Sequence, residues 1–167
     1  LHMMTLDGSD INSIADLKGK RIAVGPAGGG TIPFLRQVLA LEDMSMDDIT
    51  PSFLSYSDGF SQLADGNVDA AFALSGYPAG AVMQAQANKK LKFIPLSDAQ
   101  LATALEKYPN YNKVIVPADV YSTDADGTVL GVNNMLIADE GMDEEMAYQI
   151  AKSIYDHMDE FRAENAL

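Results

Sequence analysis

Apolar positions along this chain fall into short runs separated by polar turns, and between several runs the spacing changes to that of one helical face. Leu1–Leu6, Arg21–Val24, Ile49–Ser55, Val68–Leu74, Leu91–Leu96, Lys113–Val116 and Thr128–Ala138 read as strands. Val68–Leu74 is apolar at nearly every position, as a strand buried on both faces requires, and Pro95 marks Leu91–Leu96 as an edge. Helical spacing appears in Ser13–Leu17, which Gly19 ends, and again from Thr31, where Ile32, Phe34, Leu35, Val38, Leu39 and Leu41 share a face. Ser57 is the expected cap of a helix that turns Phe60, Leu63 and Ala64 inward and stops at Gly66. Ala79–Ala87 and Asp98–Lys107 follow, the second stopped by Tyr108-Pro109. One long amphipathic helix is expected from Asp143 to Ala163, with Met146, Ile150, Ile154, Tyr155, Met158 and Phe161 facing inward.

Strands alternating with helices over Arg21–Lys107 predict right-handed crossovers and an α/β fold with a parallel or mixed sheet. In such sheets ligands bind beyond the carboxyl ends of the strands. Three breaks fall there: Gly25–Gly30 after Val24, Tyr56-Ser57-Asp58 after the next strand, and Ser75-Gly76-Tyr77-Pro78 after Leu74. These ends are expected to converge on one edge.

The first break is the most informative. Gly25-Pro26-Ala27-Gly28-Gly29-Gly30 leads straight into a helix, with Thr31 the expected N-cap and Pro33 tolerated in the first turn. Free amides and about half a positive charge at a helix N-terminus suit an anion. A nucleotide-triphosphate loop needs Lys after its last glycine, and here Thr31 and Ile32 follow; the dinucleotide spacing G-x-G-x-x-G does not fit either. The same residues also make a strand-to-helix turn that binds nothing. If the loop holds a ligand, a small carboxylate or phosphate is the expected one. At Ser75–Pro78, Tyr77 would offer a flat face and a hydroxyl, and Ser75 a hydrogen bond; a proline-stiffened turn explains the same residues.

The 167 residues, 47% of them hydrophobic, suffice for one globular core. Twenty-four acids against 11 bases give a net charge of −13, which argues against nucleic acid and an anionic bilayer as partners. A small anion stays open, because clustered amides act at short range. With no cysteine there is no disulfide or thiolate chemistry. The two histidines, His2 and His157, lie near opposite ends, no G-x-S-x-G elbow surrounds a serine, and the acids of residues 139–145 lack a calcium-loop pattern. No catalytic constellation, metal site or cofactor is expected. No apolar run approaches the ~18 residues of a spanning helix, and no signal peptide shows. An opening that already reads as a strand suggests a piece of a longer protein.

Three segments together resemble one family. INSIADLKGKRIAVGPAGGGT (residues 11–31), YSDGFSQLADGNVDAAFALSGYPAGAV (56–82) and KYPNYNKVIVPADVY (107–121) are similar to passages of TAXI-type solute receptors, the extracytoplasmic binding subunits of one class of TRAP transporter. The resemblance implies a type II periplasmic-binding-protein fold: two α/β lobes closing on a ligand, joined by hinge-crossing strands. Residues 1–128 would be the ligand-binding lobe. Residues 129–167 would be a return strand and a helix packing toward a first lobe encoded before Leu1, with Leu1–Leu6 and Val129–Ala138 as the crossings. The isolated helix would then repack or meet a second copy. The family's glycine-threonine turn maps to Gly28, Gly30 and Thr31, which would hold the ligand's carboxylate; Gly29 stands where many relatives have Ser. Ser75, Gly76, Tyr77 and Pro78 map to a second wall, and Ser57, with Tyr56 and Asp58, to the floor. The implied function is periplasmic capture of glutamate or another small carboxylate for TRAP membrane subunits, without catalysis. The rival readings are the effector domain of a transcription regulator, which needs a DNA-binding segment upstream, and an enzyme on the same fold.

Overall fold

The most apolar run of the chain becomes the centre of a five-stranded sheet. In the computed structural model, which describes residues 1–133 and 135–164, the strands are β1 (His2–Leu6), β2 (Arg21–Ala23), β3 (Thr50–Ser52), β4 (Ala70–Ala73) and β5 (Leu91–Phe93), in the order β3-β2-β4-β1-β5. β2 pairs in parallel with β3 and β4, while β1 runs antiparallel between β4 and β5. Four strands therefore share one direction, and the fold is α/β with a mostly parallel sheet flanked by helices. Pro95 keeps its promise of an edge: β5 pairs with β1 alone.

Alternation along the strands builds two apolar clusters. Leu1, Met3, Ile22, Val24, Ala70 and Phe72 point into one, closed by α1 (Thr31–Leu39) and α4 (Asp98–Lys107). Met4, Ala23, Ala71 and Ala73 point into the other, closed by α2 (Tyr56–Ala64), α3 (Gly80–Gln86) and α5 (Ala118–Tyr121). The small residues on this second face let α2 come very close. A Cβ on Gly59 would sit 2.9 Å from that of Ala23.

A hairpin, β6 (Tyr111–Val116) and β7 (Gly127–Val132), completes the first of two compact units, Leu1–Val132. The Tyr111 ring stacks on Phe34 of α1 at 4.4 Å between centroids. The strand expected to run to Ala138 stops at Val132, because Tyr111 pairs with Val132 and β6 offers no further partner. Met135, Leu136 and Ile137 are exposed coil; position 134 of that expected strand lies outside the described residues.

The second unit begins at Asn133. The single helix expected there is two, α6 (Glu144–Asp156) and α7 (Met158–Glu164), separated where His157 leaves helical backbone at φ −111°, ψ 24°. Asp143 caps α6 by accepting from the Met146 amide at 3.1 Å. The inward face expected of it is not buried: Met146, Ile150, Tyr155 and Phe161 are exposed, and Ile154 and Met158 are half-buried. A pair of short helices encloses no interior of its own. Among the described residues no helix is long and apolar enough to cross a membrane.

Candidate functional site

The chain leaves β2 through Val24, whose amide donates to the Ser52 carbonyl at 3.0 Å, and turns at Gly25. Gly25 has φ +84°, and a Cβ there would lie 3.0 Å from the Tyr56 ring and 3.1 Å from the Thr31 hydroxyl. Only glycine satisfies both conditions. The Gly29 amide closes a tight turn on the Pro26 carbonyl at 3.0 Å, and α1 begins two residues later. Gly30 is the N-cap, in right-handed helical backbone, and no side chain caps the helix. The amides of Gly28, Gly30 and Thr31 meet no protein acceptor among the described residues. Gly28 and Gly30 are exposed, so their two amides front solvent at the positive end of α1, whereas Thr31 is buried.

Thr31 differs from its expected role. It is the first helical residue and wholly buried, with its hydroxyl 2.5 Å from the Tyr56 hydroxyl. Its side chain fastens the start of α1 to the start of α2 and is not displayed to solvent. The cap of α2 is Ser55, not Ser57: the Ser55 hydroxyl accepts from the Asp58 amide at 3.1 Å and donates to the Asp58 carboxylate at 2.7 Å. Ser57, one residue further on, lines a groove between α2 and α3 with Ser61, Gln84 and Asn88.

The third strand end approaches the same loop. A Cβ on Gly30 would meet Leu74, just past β4, at 3.5 Å. Ser75 and Gly76 are exposed, Tyr77 is half-buried against the α2–α3 cluster, and the Tyr77-Pro78 peptide is cis. Ala79 then anchors the segment, its amide donating to the buried Tyr121 hydroxyl at 2.6 Å. The structure thus brings together Gly25–Thr31, Tyr56 and Leu74, with Ser75–Pro78 following directly and Ser57 in a separate groove.

Two polar groups behind this edge, His2 and Tyr121, were given no site role by the sequence. His2, in β1, is 2% exposed, and its Nε2 lies 2.9 Å from the Tyr121 hydroxyl. Burial pushes its pKa down to about 4. Burial also raises the Tyr121 pKa, against the opposing effect of the Ala79 amide. The one available signal was a histidine inside an otherwise apolar strand. At the far end of the sheet, Arg21 grips Asp69 with contacts of 3.1 and 2.7 Å, and its side-chain hydrogen bonds hold the Asp69 carboxyl below its usual range. That pairing occupies Arg21 at the strand starts, away from the glycine loop.

Chemically, the loop edge offers amides and hydroxyls. Among the described residues no group of three or more His, Cys, Asp or Glu is placed to hold a metal ion.

Against solved structures, the chain is similar to the periplasmic aliphatic sulphonate binding protein SsuA from Escherichia coli, at 25% identity over 56% of this chain and 30% of that one, TM-score 0.48. It is also similar to the alkanesulfonate-binding protein SsuA from Xanthomonas axonopodis pv. citri bound to MOPS, at 30% identity with the same coverage and a TM-score of 0.47. An ancestral arginine-binding protein bound to glutamine aligns with 95% of this chain and 53% of its own, at 16% identity and a TM-score of 0.41. The matches thus span between 30% and 53% of those proteins' lengths. The model of the NMT1-like family matches residues 1–166, and the chain belongs to that family.

Proposed function

We propose that this chain is the ligand-binding lobe of an extracytoplasmic solute receptor of the TAXI type. In this reading it captures a small carboxylate, such as glutamate or a dicarboxylate, for TRAP membrane subunits. The observation that carries the reading is the pair of unpaired, exposed amides at Gly28 and Gly30, at the N-terminus of a nine-residue helix where three strand ends meet. A carboxylate placed there accepts from both amides and faces the positive helix end. Gly29 lets it approach the backbone. Thr31, wholly buried, acts through its hydroxyl, which sets the position of Tyr56. Ser75, Gly76, Tyr77 and Pro78 form the opposite wall. Residues 1–128 are the lobe and 129–167 the return toward a partner lobe. Ligand closes the two lobes, and the permease reads the closed form.

Gly30→Val gives the cleanest test. Gly30 has φ −63°, which valine accepts, and the nearest neighbour of a Cβ is Leu74 at ordinary contact distance. The substitution crowds the amides without straining the fold. Thermal-shift screening of the full-length protein against carboxylates, sulfonates, sugar phosphates and nucleotides should give a carboxylate-dependent rise in Tm that grows with concentration and vanishes in Gly30→Val. Stabilisation by a nucleotide or sugar phosphate alone would replace the receptor reading with an enzymatic one.

A further inference from the structure

Behind the Ser75–Pro78 segment runs a chain of buried hydrogen bonds that nothing in the binding reading uses. The Ala79 amide donates to the Tyr121 hydroxyl at 2.6 Å, and that hydroxyl meets His2 Nε2 at 2.9 Å. His2, Tyr121 and Ala79 are 2%, 1% and 8% exposed. They belong to β1, α5 and the lead-in to α3, three elements far apart in sequence. We propose that this chain is a proton-sensitive latch: with His2 neutral it holds Ala79, and hence the end of the Ser75–Pro78 segment, in place, and protonation of His2 releases it.

The argument is one of donors and acceptors. The Tyr121 hydroxyl accepts from Ala79, and the latch takes its single proton to be donated to the lone pair of His2 Nε2, the tautomer in which that proton has an acceptor. The ring's own proton then sits on Nδ1, a buried atom without a hydrogen-bond partner among the described residues, while the Ala73 backbone, the register partner of His2 across β1 and β4, lies alongside. A proton arriving at Nε2 sets two donors against each other. Tyr121 must turn its own proton away from Nε2 within the apolar cluster it belongs to, and a buried donor that loses its partner is costly. Moving Tyr121 outward relieves the conflict and takes the Ala79 acceptor with it. The titratable groups acting on His2 are Tyr121, from α5, and the amino group of Leu1 on its own strand; β4 presents the Ala73 backbone and β5 the Phe93 ring, stacked at 6.3 Å. These neighbours supply no carboxylate to stabilise an imidazolium.

The proposal stands on these hydrogen bonds whether or not Ser75–Pro78 touches a ligand. If it does, the latch adds acid-driven release to the receptor. The test needs no ligand. Amide hydrogen exchange at Ala79, corrected for the intrinsic pH dependence of exchange, is followed from pH 7.5 to 4 by NMR on the whole chain. As pH falls from the ordinary histidine pKa of 6.5 towards the folded value of about 4, opening should rise, by at most about tenfold per pH unit. Tyr121→Phe should show fast exchange at every pH, and His2→Phe should show no pH dependence. Protection at Ala79 that stays flat with pH in the unmodified protein overturns the latch. A second readout needs no variant: the 15N shifts of the His2 ring at pH 7.5 should show an unprotonated Nε2. A proton on Nε2 would also overturn it.

Discussion

The pH dependence expected of His2 has a definite sign. In the unfolded chain it binds a proton below about pH 6.5, whereas in the folded chain burial delays binding to about pH 4. Between those values the unfolded state holds more protons, so stability falls as pH drops from 6.5 towards 4, by on the order of 3 kcal/mol, and then levels off. Asp69 acts in a lower window. Its pKa is depressed, by Arg21 first, so the stability it contributes is present above its ordinary value of 3.8 and is lost only as pH falls below it. Urea unfolding at pH 5.8, 5.2 and 4.5, below the window of the buried Leu1 amino group with its pKa of about 6, should therefore show a decline in the parent protein that is absent in His2→Phe; equal slopes in the two would remove His2 as the cause. Gly25 makes a second residue-scale case. Gly25→Ala forces a side chain into φ +84° and to within 3.1 Å of both Tyr56 and Thr31, and should cost about 2 kcal/mol, or several degrees of Tm by calorimetry. Thr31→Val keeps the shape and removes the hydroxyl, leaving Tyr56 without its partner, at a cost of about 1 kcal/mol.

Among the elements, the close contact between α2 and β2 bears the least change. The missing Cβ of Gly59 lets the helix lie against Ala23, and Gly59→Val would have to push α2 off the sheet. Overpacking of this kind costs about 1–3 kcal/mol, and because α2 carries Tyr56 it should also weaken any ligand stabilisation seen with the parent protein. Denaturation midpoints and the thermal-shift screen read the two effects separately. How much of this arrangement was legible depended on where its cause lay. β4 could be read because burial on both faces leaves a continuous apolar run, and α4 because Tyr108-Pro109 stops it locally. The third strand shrank to Thr50–Ser52, since Phe53 is 52% exposed and the apolar pair Phe53-Leu54 belongs to the turn into α2. The cap shifted from Ser57 to Ser55 because both residue types fit and only geometry chooses. The antiparallel insertion of β1 between β4 and β5 is a long-range pairing, and no local pattern encodes it. At the glycine loop the strand-to-helix turn was legible, but the inward turn of the Thr31 hydroxyl depended on Tyr56, a residue 25 positions away.

Across the whole molecule, apolar burial is confined to one part of the chain. Every member of both hydrophobic clusters falls between Leu1 and Leu130, and β7 ends two residues later by pairing with β6. The described residues from Met135 onwards contribute no buried apolar side chain, and Met135, Leu136 and Ile137 are 82%, 75% and 85% exposed in a segment without regular structure. Hydrophobic burial is the dominant favourable contribution to folding, so the free energy that holds the sheet is complete by Val132. Two consequences can be measured together. Thermolysin, which cuts beside exposed large apolar residues, should cleave first within residues 135–137 and leave a resistant product ending there. A chain truncated after Ile137 should then unfold cooperatively, with a midpoint within a few degrees of the parent, because neither cluster has lost a member. It should also keep the pH dependence assigned to His2, whose contacts Ala73, Phe93 and Tyr121 all remain. A truncated chain that fails to fold would show instead that α6 and α7 complete the core, and the return segment would have to be counted as part of the lobe.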